Sequence, residues 1–252
     1  MKQVSRLFMI LILSIPYLAA DEIILVADRW CPYNCSPEDD NPGFMVEIAK
    51  YAFEKEGHTV IYKTVPWARA IKDVRDGIYH GIIGTGKQET PDFIFPEHEL
   101  AKAKHTFFVK KGSSWKYEGL ESLKEINLGV IIHYSYGSLY KDYIKPNEAS
   151  KRIQAVGGQT ALKQNIQKLL YGRIDALIED RTVFQFHLHK TNTSDVFLDA
   201  GSAYTEKLYI AFSPILKQSK TYAEILGKAM PDIRASGKLA GILKKYGIKD
   251  WN

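Results

Sequence analysis

Two adjacent acidic residues, Glu179 and Asp180, are the side chains of this sequence best placed to do chemistry. They follow the aliphatic segment 174–178, which is too short for a surface helix and is typical of a buried strand in a parallel sheet. Open α/β sheets bind ligands at the carboxyl ends of such strands. Asp180 also precedes a helical pattern and can cap that helix, so ligand binding and helix capping both remain open for it.

Aromatic and hydroxyl side chains in strand-end loops are further candidates. The rings of Trp30, Tyr33 and Trp67 can sandwich a flat group or stack on a cation, and core packing is the alternative for each of them. Ser135 and Tyr136 stand at the start of a predicted helix, where free backbone amides and the Ser135 hydroxyl can hold an anionic or carbonyl group. Helix capping is again the alternative there.

Three other patterns predict no catalytic or metal site. Segment 81–87 matches most of a phosphate-binding loop, but Gln88 stands where magnesium needs Ser or Thr. His187 and His189 are two residues apart on a predicted helix and therefore point to different faces. Ser135 lacks the Gly-x-Ser-x-Gly surroundings of a nucleophile. We expect neither a metal nor a cofactor.

The elements that must position these residues alternate between strand and helix. Apolar patterns predict strands at 23–27, 59–62, 81–85, 105–109, 128–132, 152–156, 174–178 and 208–212. Helices are predicted at 44–55, 66–74, 136–144, 159–170, 181–189, 222–233 and 238–246, with a short one from residue 120. The alternation occurs twice, and we expect the last strand and helices to return to the first lobe. Two lobes joined by two crossings would enclose a cleft with a hinge.

The N-terminus predicts export. Lys2 and Arg6 precede the apolar run 7–15, and Ala20 offers a small residue for cleavage, as in a secretory signal peptide. No other segment approaches the ~20 apolar residues that a membrane span needs. We expect cleavage after Ala20 and a periplasmic chain long enough for one large domain or two lobes of about 110 residues each.

The two cysteines and the net charge indicate further which kinds of compartment and partner suit this protein. Cys31 and Cys35 are separated by three residues, which in an oxidising compartment predicts a local disulfide, with free thiols or a redox role as alternatives. The net charge is +5, and the lysines are scattered along the chain. This composition indicates neither nucleic acid nor an anionic membrane as a partner.

Several short motifs are distributed along almost the whole chain after the predicted signal peptide. They are Gly43 to Ile48, Trp67 to Ala70, Gly77 to Ile83, Phe95-Pro96, Leu128 to Ile131 and Gly172 to Ala176. Their order resembles that of the bacterial extracellular solute-binding proteins of family 3, the periplasmic receptors of polar amino acid ABC importers. The resemblance implies an α/β fold of the two-lobed periplasmic-binding-protein-like (Venus flytrap) type with two hinge crossings. Lobe 1 would comprise residues 21–109 and 207–252, and lobe 2 residues 110–206.

The resemblance also implies roles for particular residues. Asp180 stands where the family's aspartate binds a ligand ammonium. The family's carboxylate-binding arginine is absent from the corresponding stretch 87–96, where Lys87, or Arg69 from elsewhere, could substitute. The predicted ligand-binding residues are therefore Trp30, Tyr33, Trp67, Arg69, Thr85, Lys87, Ser135, Tyr136 and Asp180.

These observations together predict a monomeric periplasmic solute-binding protein and not an enzyme. It would capture a small polar, amino-acid-like or cationic solute and present it to the membrane permease of an ABC importer. Two alternatives remain open: a dehydratase-like enzyme on the same scaffold, with Glu179 as its acid, and a sensory module that docks on a receptor.

Overall fold

The computed structural model describes residues 20–251. The predicted signal peptide therefore lies, apart from Ala20, outside the described residues. Within residues 20–251, no helix combines the length and the apolar character that crossing a membrane would require.

Eight strands and seven α-helices form the framework of residues 20–251. The strands are β1 (Glu22–Ala27), β2 (Thr59–Thr64), β3 (Gly81–Thr85), β4 (Ala101–Lys110), β5 (Leu128–Ile131), β6 (Ile153–Val156), β7 (Ala176–Asp180) and β8 (Phe197–Phe212). The α-helices are α1 (Phe44–Lys55), α2 (Trp67–Arg75), α3 (Gly137–Leu139), α4 (Ala161–Leu170), α5 (Arg181–Thr191), α6 (Ser219–Ala235) and α7 (Lys238–Lys245). Short 3₁₀ turns cover Leu120–Glu125, Lys145–Asn147 and Ser194–Val196, and a π-turn covers Tyr140–Ile144.

Two sets of parallel strands are joined through a central antiparallel pair. The strand order is β2-β1-β3-β8-β4-β7-β5-β6. Strand β1 is parallel to β2 and β3, while β5 is parallel to β6 and β7. Strand β8 is antiparallel to β3 and β4. We call β1 to β3 with α1, α2, α6 and α7 the first half, and β5 to β7 with α3, α4 and α5 the second half.

The two joining strands are longer than their apolar segments predict. Strand β4 begins at Ala101 instead of residue 105, and β8 begins at Phe197 instead of residue 208. Their additional residues include exposed Lys104 and Lys207, which interrupt the apolar pattern. These residues are extended because the two strands pair with each other from Ala101 to Lys110. Both passages of the chain between the halves are therefore hydrogen-bonded to each other. The lobe boundaries at residues 109 and 207 stay a prediction.

The core of the first half joins both ends of the chain. Helix α1 spans the predicted residues 44–55, and its apolar side chains are buried. One cluster contains Leu25 of β1, Phe53 of α1, Leu226 of α6 and Leu243 of α7. The predicted return of the C-terminal helices to the N-terminal strands is confirmed. This core fixes the ends of β1 and β2, from which half of the cleft is built.

The second half has its own apolar clusters, and one predicted helix is replaced there. Phe108 of β4 stacks on Phe184 of α5 with ring centroids 3.8 Å apart. The predicted helix 136–144 is instead the short α3 followed by the π-turn and a 3₁₀ turn. Pro146 lacks the amide hydrogen that would continue a regular α-helix through this segment.

Candidate functional site

A cleft of about 970 Å³ lies where the carboxyl ends of both sets of parallel strands meet. We call it the outer cleft. Its walls come from the loops that follow β1 and β2 in the first half and β5 and β6 in the second, and helix α5 adds one side. Ligand sites of α/β sheets are expected at this edge. The cysteines Cys31 and Cys35, which form the predicted disulfide, also line it.

A smaller cavity of about 40 Å³ adjoins the outer cleft. We call it the inner chamber. Four residues line both cavities: Asp28, Trp30, Trp67 and Tyr134. The chamber is completed by Asn34, Ile83, Gly84, Glu89, His105, Ser135 and Glu206. Acidic and aromatic side chains therefore dominate the inner end of the site.

Two indole groups each hold a carboxylate. The Nε1–H of Trp30 donates to Glu179 Oε1 at 3.0 Å, which connects the loop after β1 with β7. The Nε1–H of Trp67 donates to Glu89 Oε1 at 2.8 Å. Each ring thus forms part of the wall while its N–H fixes the position of an acidic group.

A third aromatic residue holds a carboxylate across the site. The Tyr134 hydroxyl donates to Asp28 Oδ2 at 2.7 Å and connects the loop after β5 with the end of β1. Asn34 supports this arrangement, because its Nδ2 donates to the Asp28 carbonyl at 2.6 Å. The hydrogen bonds from Trp30 and Tyr134 therefore join the two halves of the molecule at the cleft.

The three carboxyl groups have pKa values close to physiological pH. Burial raises the pKa of Glu179 to about 7, although the hydrogen bond from Trp30 lowers it. Burial also raises the pKa of Glu89 to about 7, against the hydrogen bond from Trp67, and that of Asp28 to about 6, against the hydrogen bond from Tyr134. A cation placed among them would favour their ionised forms.

Glu179 and Asp180 have different environments because they occupy consecutive positions of one strand. The predicted strand 174–178 is shifted to Ala176–Asp180, so both residues lie inside β7, where successive side chains point to opposite faces. Glu179 lines the outer cleft. Asp180 is fully buried and lines neither cavity. Its Oδ1 accepts from the Val183 amide at 2.9 Å and its Oδ2 from the Lys104 amide at 2.8 Å.

Asp180 therefore has the helix-capping role that the sequence left open. It is the N-cap of α5, and its second oxygen fixes β4. Burial raises its pKa, against the hydrogen bond from Val183. A ligand ammonium at Asp180 has no access to it in this structure, and Glu179 is the acidic residue that β7 presents to the cleft.

Three of the predicted aromatic and hydroxyl residues line the cavities, and three are buried and contact lining residues. Trp30, Trp67 and Ser135 line the inner chamber. Tyr33 is buried, with its ring stacked on Trp30 at 4.6 Å. The buried Tyr136 hydroxyl accepts from the Ile131 amide at 2.6 Å. Thr85 is buried behind the chamber, and its Oγ1 donates to Glu89 Oε2 at 3.3 Å.

The two basic residues proposed to replace the family's arginine lie outside the site. The Arg69 side chain is 70% exposed and pairs with Asp73 at 3.2 Å on α2. The Lys87 ammonium lies over the ring of Tyr209, 5.0 Å from its centroid, and over that of Phe95. Neither residue lines the outer cleft or the inner chamber. The helix spacing of Arg69 and Asp73 accounts for the first placement, and a cation–π contact for the second.

Several lining residues were not among the sequence candidates. Asp28 directly follows β1, which is the same signal that indicated Glu179, and it could have been found that way. Glu89 lies in the loop after β3. His105 and Glu206 come from β4 and β8, and their side chains are 2.7 Å apart between Nε2 and Oε1. That pairing depends on the long-range register of two strands.

Comparisons with known proteins agree with this architecture. The sequence profile of the bacterial extracellular solute-binding proteins, family 3, matches residues 23–249. A search of curated protein sequences found no match. Solved structures with the same fold include a histidine-bound substrate-binding protein of an ABC uptake transporter from Streptococcus pneumoniae. It has a TM-score of 0.73 and 21% identity over 91% of this chain and 93% of that one.

Two further structures show the range of proteins with this fold. The arginine-, lysine-, histidine-binding protein ArtJ from Geobacillus stearothermophilus has a TM-score of 0.71 and 19% identity, over 91% of this chain and 96% of that one. A histidine kinase sensor domain similar to periplasmic binding proteins has a TM-score of 0.71 and 16% identity, over 89% of this chain and 95% of that one. The predicted two-lobed fold is confirmed, and the chain belongs to the bacterial extracellular solute-binding proteins of family 3.

Proposed function

We propose that this protein is a monomeric periplasmic receptor that captures a small cationic or amino-acid-like solute in the cleft. It delivers that solute to the membrane permease of an ABC importer and has no catalytic role. The observation that carries this proposal is the set of three carboxyl groups, Asp28, Glu89 and Glu179, each held by an aromatic donor at the cleft. The structural neighbours described as binding arginine, lysine or histidine support a cationic solute.

Electrostatics favours a cation at this place. A carboxylate in a partly dry cleft attracts a positive charge more strongly than one in water, because the effective dielectric constant is lower. The raised pKa values of Glu89 and Glu179 indicate that ionising them without a partner is unfavourable. A bound cation would supply that partner, and the faces of Trp30 and Trp67 could add cation–π attraction.

Closure of the two halves would follow from contacts on both sides. The hydrogen bonds of Glu179 with Trp30 and of Tyr134 with Asp28 already connect the halves. A solute that contacts these same groups would bind the closed arrangement better than an open one. Only such a difference in affinity can shift a conformational equilibrium, and a membrane partner could then recognise the closed form.

A thermal-shift screen of residues 21–252 tests this proposal. The panel contains basic and neutral amino acids, aliphatic amines, dicarboxylic acids and sugars. A solute at 100 times its dissociation constant adds about 2.7 kcal/mol and should raise the melting temperature by roughly 5 to 10 °C. We expect the shift with cationic solutes. Shifts confined to acids or sugars, or a flat panel, would contradict the proposal.

A sensory role is the second candidate. The observation that favours it is the similarity in fold to a histidine kinase sensor domain. Transport of a radiolabelled solute into vesicles that carry the cognate permease, dependent on this protein, would support the importer role. Ligand-dependent binding to a receptor ectodomain, without transport, would support the sensory role.

A further inference from the structure

The inner chamber carries an excess of acidic groups. Asp28, Glu89 and Glu206 line it, and among its lining residues in the described part of the chain His105 alone is basic. His105 Nε2 lies 2.7 Å from Glu206 Oε1, so these two side chains are hydrogen-bonded to each other. Asp28 and Glu89 are held by neutral donors, Tyr134 and Trp67, and their negative charges have no cationic partner among these contacts.

An unpartnered oxygen points to a missing donor at the same place. Asn34 is 1% exposed and lines the chamber, and its Oδ1 has no hydrogen-bond partner although its Nδ2 donates to the Asp28 carbonyl. This oxygen is near Gly84, another lining residue, 3.4 Å from where a Cβ on that glycine would lie. A buried amide oxygen is normally hydrogen-bonded, so its environment calls for a donor.

The size and walls of the chamber indicate which donor would fit. Its volume of about 40 Å³ exceeds the roughly 10–15 Å³ that one water-sized group needs, so a group of that size has room there. An ammonium group is of comparable size and offers three N–H donors and no acceptor. The rings of Trp30, Trp67 and Tyr134, shared with the outer cleft, suit an alkyl chain leaving the chamber.

The loop that follows β3 contributes no basic group that could bind a ligand carboxylate in the inner chamber. The stretch 87–96 contributes one side chain to the chamber, and that side chain is the acidic Glu89. The basic residues Lys87 and Arg69 line neither cavity, and they contact Tyr209 and Asp73 instead. A ligand carboxylate at this place would meet Glu89 and Asp28, which repel it.

We infer that the inner chamber is an ammonium subsite and that the solute is an aliphatic diamine or polyamine without a carboxylate. One ammonium group is held by Asp28, Glu89 and Asn34, and the alkyl chain runs out along the indole rings. A second ammonium group lies in the outer cleft near Glu179. This inference rests on the proposed function and specifies the solute class of the same site.

Matched pairs of ligands test it on the unaltered protein by isothermal titration calorimetry. Cadaverine is lysine without its carboxylate, putrescine is ornithine without it, and agmatine is arginine without it. We expect each amine to bind at least tenfold more tightly than its amino acid. Tighter binding of the amino acids would overturn the inference while leaving the proposed function intact. Equal affinity for amine and amino acid, or binding of the amino acids alone, would do the same, and the absence of any binding solute would remove both.

A charge-neutral variant tests the position of the subsite. Glu89→Gln keeps the shape of the side chain and should weaken cadaverine at least tenfold. Glu224→Gln, on the exposed face of α6, is the matched control and should leave the affinity unchanged. Circular dichroism at the binding temperature shows whether each variant is folded. A folded Glu89→Gln protein with unchanged affinity for cadaverine would overturn the assignment of the chamber.

Discussion

Charged groups at the inner end of the site are buried or partly buried, whereas charged groups at its outer mouth are exposed. At the inner end, Asp28 and Glu89 line the inner chamber, are partly buried and are held by aromatic donors, and Glu179 of the adjoining outer cleft is 3% exposed. At the mouth, the outer cleft is lined by basic residues such as Lys163, Lys190 and Lys245, all of them exposed. The net charge of the chain therefore says little about its ligand. Desolvation makes the inner carboxylates sensitive to a partner, whereas water and salt screen the outer lysines.

The largest effect that we expect is on the stability of the ligand-free protein. Folding raises the pKa of Glu179 from 4.5 to about 7, so the folded state binds more protons than the unfolded state between these values. Its stability should therefore fall as pH rises through this window, by on the order of 3 kcal/mol from this residue. Glu179→Gln removes that contribution. Urea unfolding at pH 5 and pH 8 without ligand measures the difference between the two proteins.

Comparison with the variant is needed because other groups near Glu179 titrate as well. Burial raises the pKa of Asp180 as well, and the pKa values of Asp28 and Glu89 are about 6 and about 7, so these groups contribute a pH dependence of their own. The wild-type protein should lose more stability between pH 5 and pH 8 than Glu179→Gln does. Parallel pH profiles for the two proteins would mean that Glu179 is ionised in both states and that the cleft does not desolvate it.

The second effect is on ligand affinity at Glu179, the buried carboxyl group of the outer cleft. Glu179→Gln preserves an oxygen acceptor for Trp30 but removes the charge, so the affinity for a cationic solute should fall about 30-fold at pH 8. Calorimetry with the best ligand of the thermal-shift panel measures this change. At pH 5, where wild-type Glu179 is protonated, the two proteins should bind with similar affinity, which serves as an internal control. A small loss at pH 8 would place the ligand cation elsewhere.

The smallest effect should come from the mouth. Lys190→Gln removes an exposed positive charge from the outer cleft, and we expect the affinity for a cationic solute to change less than twofold. Any increase in affinity should disappear in 0.5 M salt. A large change that persists in high salt would show that the mouth contributes directly to binding, and the contrast between the two regions would then not hold.

The fold could be predicted largely from apolar spacing. The predicted apolar positions 44, 45, 48, 49, 52 and 53 of α1 are all buried as the helical pattern requires, and Gly81–Thr85 is a strand with the predicted bounds. The unpredicted lengths of β4 and β8 have a different cause. Lys104 and Lys207 belong to strands through pairing between distant parts of the chain, and local sequence does not contain that information.

The site was predicted less completely, because small changes of register decide which side chain faces a ligand. Because β7 extends to Asp180, Glu179 lines the outer cleft and Asp180 caps α5. The contact of Trp67 with Glu89 depends on how two loops meet. Type and spacing identified the right edge of the sheet and several of its residues. The partners that set the charge of each group came from tertiary contacts.

The shared core of the first half has a consequence for the order in which the molecule folds. Leu25, near the beginning of the described chain, packs in one cluster with Leu226 and Leu243, near its end. During synthesis the N-terminal strands and α1 are made first, yet their shared apolar core stays incomplete until the last helices have emerged. The second half, continuous from β5 to β7, has its sequence complete earlier. A ribosome-bound fragment ending before α6 should therefore protect the second half from proteases while the N-terminal strands remain open to cleavage and to chaperones.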